Sequence, residues 1–114
     1  MDYRAVIQES LDHIEKQVRG DIRVDRLAAL AGFSSFHFYR IFEAYVGMPV
    51  MEYVRRRRLA HAAYAMADRP RLIDIAVEYG FETHAGFSKA FHRCMGISPE
   101  QYRRHAVATP PQRI

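Results

Sequence analysis

Apolar residues recur at helical spacing through almost the whole chain. Ile7, Leu11, Ile14 and Val18 follow one another at intervals of four, three and four, which predicts an amphipathic first helix from about Tyr3 to Val18, ended by Gly20. After a short connector, Val24 or Asp25 opens a second helix whose Leu27, Ala28, Leu30 and Ala31 form an apolar face. Gly32 follows as a left-handed turn residue, and Ser34 stands where an N-cap belongs. The third helix, about Ser35 to Val46, divides by face. Phe38, Ile41, Phe42 and Tyr45 fall on the core side, and Ser35, Phe36, Tyr39, Arg40 and Glu43 on the other.

Gly47 stops that helix, and Pro49 suits the first turn of a fourth, which runs to about Ala67 and carries Tyr53, Val54, Leu59, Ala62, Ala63 and Met66. Asp68-Arg69-Pro70-Arg71 is a polar break before a fifth helix, about Leu72 to Tyr79. Gly80 is the next turn, with Glu82 or Thr83 capping a sixth helix. Its periodicity turns Phe87, Ala90, Phe91 and Cys94 inward, with Cys94 as a small core residue, and His84, Ala85, Ser88, Lys89 and His92 outward. Ser98-Pro99-Glu100-Gln101 caps and opens a short seventh helix ending near His105, and Thr109-Pro110-Pro111-Gln112 reads as a tail. The alternating stretches are too short for strands and lack turn chemistry, so the pattern is all-α with seven helices.

The pattern also repeats. Leu27-Ala28-Ala29-Leu30-Ala31-Gly32-Phe33 returns as Ile75-Ala76-Val77-Glu78-Tyr79-Gly80-Phe81. The echo continues through Phe38 and Phe87, Arg40 and Lys89, Phe42 and Phe91, Gly47 and Gly96, Tyr53 and Tyr102, Arg55 and Arg104, with the offset changing from 48 to 49 residues between Phe33 and Phe38. Each copy is an apolar helix, a glycine turn and an amphipathic helix bearing a cation, the pattern of a DNA-binding helix-turn-helix. At 1.5 Å per residue a fourth helix from Val50 to Ala67 would span about 27 Å, near the roughly 34 Å of one DNA turn, so it is expected to space two readers.

Charge agrees with a polyanionic partner. The formal net charge is +4 and the pI near 9.5. It is unevenly placed: residues 1–34 hold five basic and six acidic side chains, residues 35–114 hold twelve and seven. Only Lys16 and Lys89 are lysines; the other basic residues are arginines, whose planar fork suits phosphates and guanine edges, although a coding bias gives the same count. One cysteine excludes an internal disulfide and points to a reducing cytoplasm. No signal peptide is visible, and no run approaches the roughly 20 apolar residues of a membrane span.

Enzyme chemistry finds little support. His92 and Cys94 point in different directions on a helix, the six histidines lack zinc-type spacing, and no glycine-rich phosphate loop exists, so neither a metal nor a cofactor is expected. The outward faces of helices three and six offer base contacts instead: Ser35, Phe36, Tyr39 and Arg40 in the first, His84, Ala85, Ser88 and Lys89 in the second. Arg40 is the sharpest candidate, since a guanidinium binds guanine O6 and N7 together; the alternatives are a phosphate contact or a plain surface charge. Phe36 either meets thymine methyl groups or packs against helix two or a neighbouring element. Gly86 inside helix six costs about 1 kcal/mol relative to alanine. Arg55 to Arg58 cannot all face one way, so some meet DNA phosphates and others solvent or carboxylates such as Glu52. Ser34, Arg55, Arg58, Thr83, Arg103 and Arg104, with the N-termini of helices two and five, are the expected phosphate contacts.

Together these residues resemble the DNA-binding domain of the AraC/XylS family of bacterial transcription regulators. Ile75-Ala76-x-x-x-Gly80-Phe81, Phe87-x-x-x-Phe91 and Gly96-x-Ser98-Pro99-x-x-Tyr102-Arg103 look like its C-terminal signature. Leu27-Ala28, Gly32-Phe33-Ser34, Arg40-x-Phe42, Gly47 and Tyr53 to Arg58 match the first half. The resemblance implies two helix-turn-helix subdomains joined by helix four, with two recognition helices in successive major grooves of promoter DNA and the base-contacting residues named above. The expected boundaries are a domain over residues 1–106, with the first helix-turn-helix at about 24–46, the linker helix at about 50–67 and the second motif at about 72–95. Residues 107–114 are a tail or the start of a linker. Two architectures follow: a stand-alone regulator, an activator by expectation, acting in the bacterial cytoplasm on nucleoid DNA; or the first part of a longer regulator with an effector-binding domain beyond Ile114. In the second, the bare domain acts mainly through protein contacts, RNA polymerase among them.

Overall fold

A computed structural model describes residues 2–105. Among the described residues the chain is all-helical, with no strand: α1 Tyr3–Lys16, α2 Val24–Ala31, α3 Ser35–Val46, α4 Val50–Ala65, α5 Leu72–Glu78, α6 His84–Met95 and α7 Pro99–His105. The expected tail at Thr109 to Gln112 lies outside the described residues. Two compact units divide the chain at Arg55, inside α4.

In the first unit α1 packs on α2 and α3 around Ile7, Ile14, Leu27, Ala28, Phe38 and Phe42, with Val50, Tyr53 and Val54 of α4 completing the core. Asp2 caps α1 by accepting the Arg4 and Ala5 amides, and α1 ends at Lys16, earlier than the hydrophobic spacing alone suggests. Val18 and Ile22 remain buried after the helix has stopped, so a period that continues past a helix end still marks core. Gly32 closes α2 at φ 79, and the Phe33 amide donates to the Ala28 carbonyl at 2.9 Å, the long bond of a glycine-terminated helix.

The second unit rebuilds the same arrangement. Phe81 donates to Ala76 at 2.9 Å across Gly80, at φ 89. Phe87 and Phe91 are fully buried as Phe38 and Phe42 are. The ring chain Phe38, Phe42, Tyr53, with centroid steps of 5.8 and 5.8 Å, recurs as Phe87, Phe91, Tyr102 at 5.7 and 5.4 Å. Leu59, Ala62, Ala63 and Met66 of α4 supply its remaining apolar surface. The residue responsible for the offset change lies in this copy: two residues, Phe81 and Glu82, separate Gly80 from the cap Thr83, where Phe33 alone separates Gly32 from Ser34.

Three side chains expected in the core are outside it. Leu30 is 73% exposed, Tyr45 is half-exposed, and Cys94 is exposed.

Candidate nucleic-acid interface

The first exposed face is set by a well-terminated helix. Ser34 accepts the His37 amide at 3.1 Å, and Gly47 closes α3 at φ 90. Burying Phe38 and Phe42 turns Phe36, Tyr39 and Arg40 to solvent, with Ser35 half-buried beside them. Phe36 is 70% exposed, so it does not pack on α2. The Arg40 guanidinium carbon sits 5.7 Å from the Phe36 ring centroid. Behind this face Tyr3, Phe33, His37 and Tyr45 form a ring cluster, with Phe33 and His37 centroids 4.7 Å apart, that ties α1 to α3.

On α6 the Thr83 hydroxyl accepts the Gly86 amide at 2.9 Å. Gly86 is therefore in the first turn and not the helix interior, and a Cβ there would stand 3.0 Å from the cap oxygen. His84, Ala85, Lys89 and His92 are exposed as expected. Ser88 departs from expectation: its hydroxyl is buried and unpartnered, so it is not presented at the surface for a base. His84 Nε2 lies 3.4 Å from Glu100 Oε1, which brings a carboxylate of α7 beside the second reading face. Glu100→Gln is expected to raise DNA affinity by up to about fivefold, the worth of one exposed charge interaction. Binding titrations at low and physiological salt check this, and unchanged or weaker binding would place Glu100 away from DNA.

The cations sort into distinct roles. Arg55 pairs with Glu52 at 2.7 Å. Arg57 is buried at 7% exposure, Arg56 is exposed, and the half-buried Arg58 lies against the Gly80 turn, 3.6 Å from where a Cβ would be. Arg103 is engaged within the second unit. Expected at phosphates, it donates to the Pro70 carbonyl at 2.7 Å and the Arg69 carbonyl at 2.6 Å, holding α7 to the segment between α4 and α5. Arg69 itself bonds Glu78. Arg103→Ala is expected to destabilise the second unit by about 2 kcal/mol, as loss of charge-assisted hydrogen bonds requires. Arg104→Ala should leave stability unchanged and lower the salt dependence of DNA binding by about one counterion. Urea unfolding and salt titration separate the two.

Both α2 and α5 start without a side-chain cap, behind Arg23 and Arg71, so their first amides stay available to an anion. Sequence reasoning did not single out Glu100. The capping sequence Ser98 to Gln101 was the only signal near Glu100: Ser98 and Gln101 exchange bonds at 3.1 and 3.0 Å, which fixes the first turn of α7 and hence Glu100.

A family profile described as "Helix-turn-helix domain" matches residues 27–105. The transcriptional activator AarP of Providencia stuartii is 38% identical over 100 residues, covering 87% of this chain and 74% of that protein. The chain belongs to the AraC/XylS family. Its AraC-type domain carries two helix-turn-helix motifs, α2 with α3 and α5 with α6. The uncharacterised regulator YbfP of Bacillus subtilis is also 38% identical, over 104 residues and 90% of this chain, but the chain spans only 35% of its length. Among solved structures, an AraC-type transcriptional regulator of Chromobacterium violaceum superposes with a TM-score of 0.83 at 22% identity, covering 89% of this chain and 91% of that one. The DNA-binding domain of AdpA, solved with a target DNA, gives 0.77 at 23% identity, covering 86% and 89%. Among the described residues no helix is long and apolar enough to cross a membrane.

Proposed function

We propose that this AraC-type domain is a sequence-specific regulator of transcription that places α3 and α6 in adjacent major grooves of promoter DNA. The observation that carries the reading is the exposed Phe36, Tyr39 and Arg40 face, held outward by the buried Phe38 and Phe42 of the same helix. In it Arg40 contacts guanine, Phe36 and Tyr39 flank it, and Ser35 stands at the helix start. On α6, His84, Ala85 and Lys89 take the corresponding positions with weaker base discrimination, so the first motif selects sequence and the second adds affinity. Ser34 and Thr83 keep a hydroxyl proton to donate to phosphate while accepting their cap amides. Arg104, the uncapped ends of α2 and α5, and Arg55 and Arg58 once released from their present neighbours bind phosphates. Ser88 and Arg103 are left out of this set because their polar atoms are buried or engaged.

The regulatory role draws support from the named activator AarP. In this reading RNA polymerase is a second partner, and the protein acts on nucleoid DNA in the cytoplasm. A second reading, an effector-responsive regulator of which this is one part, is favoured by the 35% share of YbfP that the chain spans. Selection of bound duplexes from a random pool tests the main reading. A shared motif with two half-elements about one helical turn apart is the expected result, and equal recovery of all sequences would overturn it.

A further inference from the structure

We propose that the second unit holds a binding site for a small zwitterion, an α-amino acid with an apolar side chain, in the cavity between the end of α4 and α7. The cavity has a volume of about 590 Å³, and the described residues that line it all belong to the second unit. That volume lies within the range of small-molecule sites, which combine apolar walls with a few convergent polar groups. The apolar wall here comes from Ala63 and Met66, both buried, with Pro70 and Tyr102.

Two opposite charges line the same cavity without meeting. Asp68 is exposed and forms no ion pair among the described residues. Arg103 is half-buried and likewise meets no carboxylate: two of its N–H groups go to the Arg69 and Pro70 carbonyls, and its Nε is buried without a partner. The other cation in the lining, Arg69, is already answered by Glu78. A carbonyl accepts a hydrogen bond but leaves the guanidinium charge unneutralised, and a charge held partly out of water gains from a counter-ion. A simple anion would satisfy Arg103 but face Asp68, and a simple cation the reverse. A zwitterion supplies both counter-charges at no net charge, its carboxylate to Arg103 and its ammonium to Asp68. The Tyr102 hydroxyl, with no hydrogen bond among the described residues, can serve either group. An apolar side chain then covers Ala63 and Met66, and the thioether and ring in the wall suit methionine, leucine or phenylalanine. The site does not depend on how the domain meets DNA. Its occupant joins α7 to the end of α4, and α7 also holds Glu100 beside His84, so occupancy acts on the unit that carries the second motif.

The test titrates the full chain with methionine, leucine and phenylalanine while amide NMR spectra are recorded. Saturable shifts at residues 63–70 and 102–103 are expected, with half-saturation on the order of 1 mM. The matching amino-acid amide, which lacks the carboxylate, should bind about tenfold more weakly. The N-acetyl amino acid, which lacks the ammonium, should lose about fivefold, the worth of one exposed charge pair. Glycine, without an apolar side chain, should not saturate in the same range. Asp68→Asn, at an exposed site, should weaken the amino acid by a similar fivefold and no longer distinguish it from its N-acetyl form. Equal binding of all three forms, or shifts spread over the whole chain, would overturn the proposal. So would tighter binding of the N-acetyl form, which would make the cavity a plain carboxylate site. If Asp68→Asn does not fold, the ligand series on the unaltered protein still decides.

Discussion

Phe42→Ala is expected to abolish the folded first unit and DNA binding with it. Phe42 is fully buried, meets Phe38 at a tilt and Tyr53 edge-on, each at 5.8 Å, so its truncation leaves a cavity between α3 and the start of α4. Truncating a phenylalanine in such a core to alanine costs about 3–5 kcal/mol, close to the whole margin that a core of this size supplies. Phe91→Ala should cost the same in the second unit, where Phe91 is equally buried between Phe87 and Tyr102. Urea unfolding followed by circular dichroism, with amide NMR spectra to see which residues collapse, measures both. A variant that keeps a complete native spectrum would mean that the ring chain is not what seats the recognition helix.

Those two phenylalanines were legible because a duplication states each position twice. Phe38, Phe42, Phe87 and Phe91 sit at the same angle on equivalent helices, and all four are fully buried. Period determines angle but not how far along the axis the core extends. Tyr45 and Cys94 are equivalent positions and both lie at the core angle, yet both are exposed, Tyr45 turning to the Tyr3 ring of α1. Leu30 fails for a related reason: α2 has only eight residues, and Leu27 and Ala28 already fill the contact. The exposed faces of α3 and α6 were legible as the complement of the core. The fate of individual arginines was not. Arg103 is taken up by carbonyls 33 and 34 residues away, in the segment between α4 and α5, a coincidence in space that spacing along the chain does not encode.

Arg40→Ala is expected to weaken binding to the selected site by about 1–3 kcal/mol, roughly five- to 150-fold, while binding to unrelated duplexes changes little. The protein should stay folded, since Arg40 is exposed and its recorded neighbour is the exposed Phe36 ring. Arg40→Lys should recover only part of the loss, because an ammonium cannot present the planar fork that meets guanine O6 and N7 together. Lys89→Ala, at the equivalent place on α6, should cost less and cost it evenly across sequences, as a flexible point charge near phosphates does. Parallel titrations against the selected duplex, the same duplex with guanine replaced by adenine, and a scrambled control separate the contributions. If Arg40→Ala weakened all three alike and lowered the salt dependence, Arg40 would be a phosphate contact, and sequence choice would have to come from Tyr39 or from the shape of the DNA. The copies carry arginine against lysine at this position, and unequal losses would show that the duplicated motif has divided into a reader and a holder.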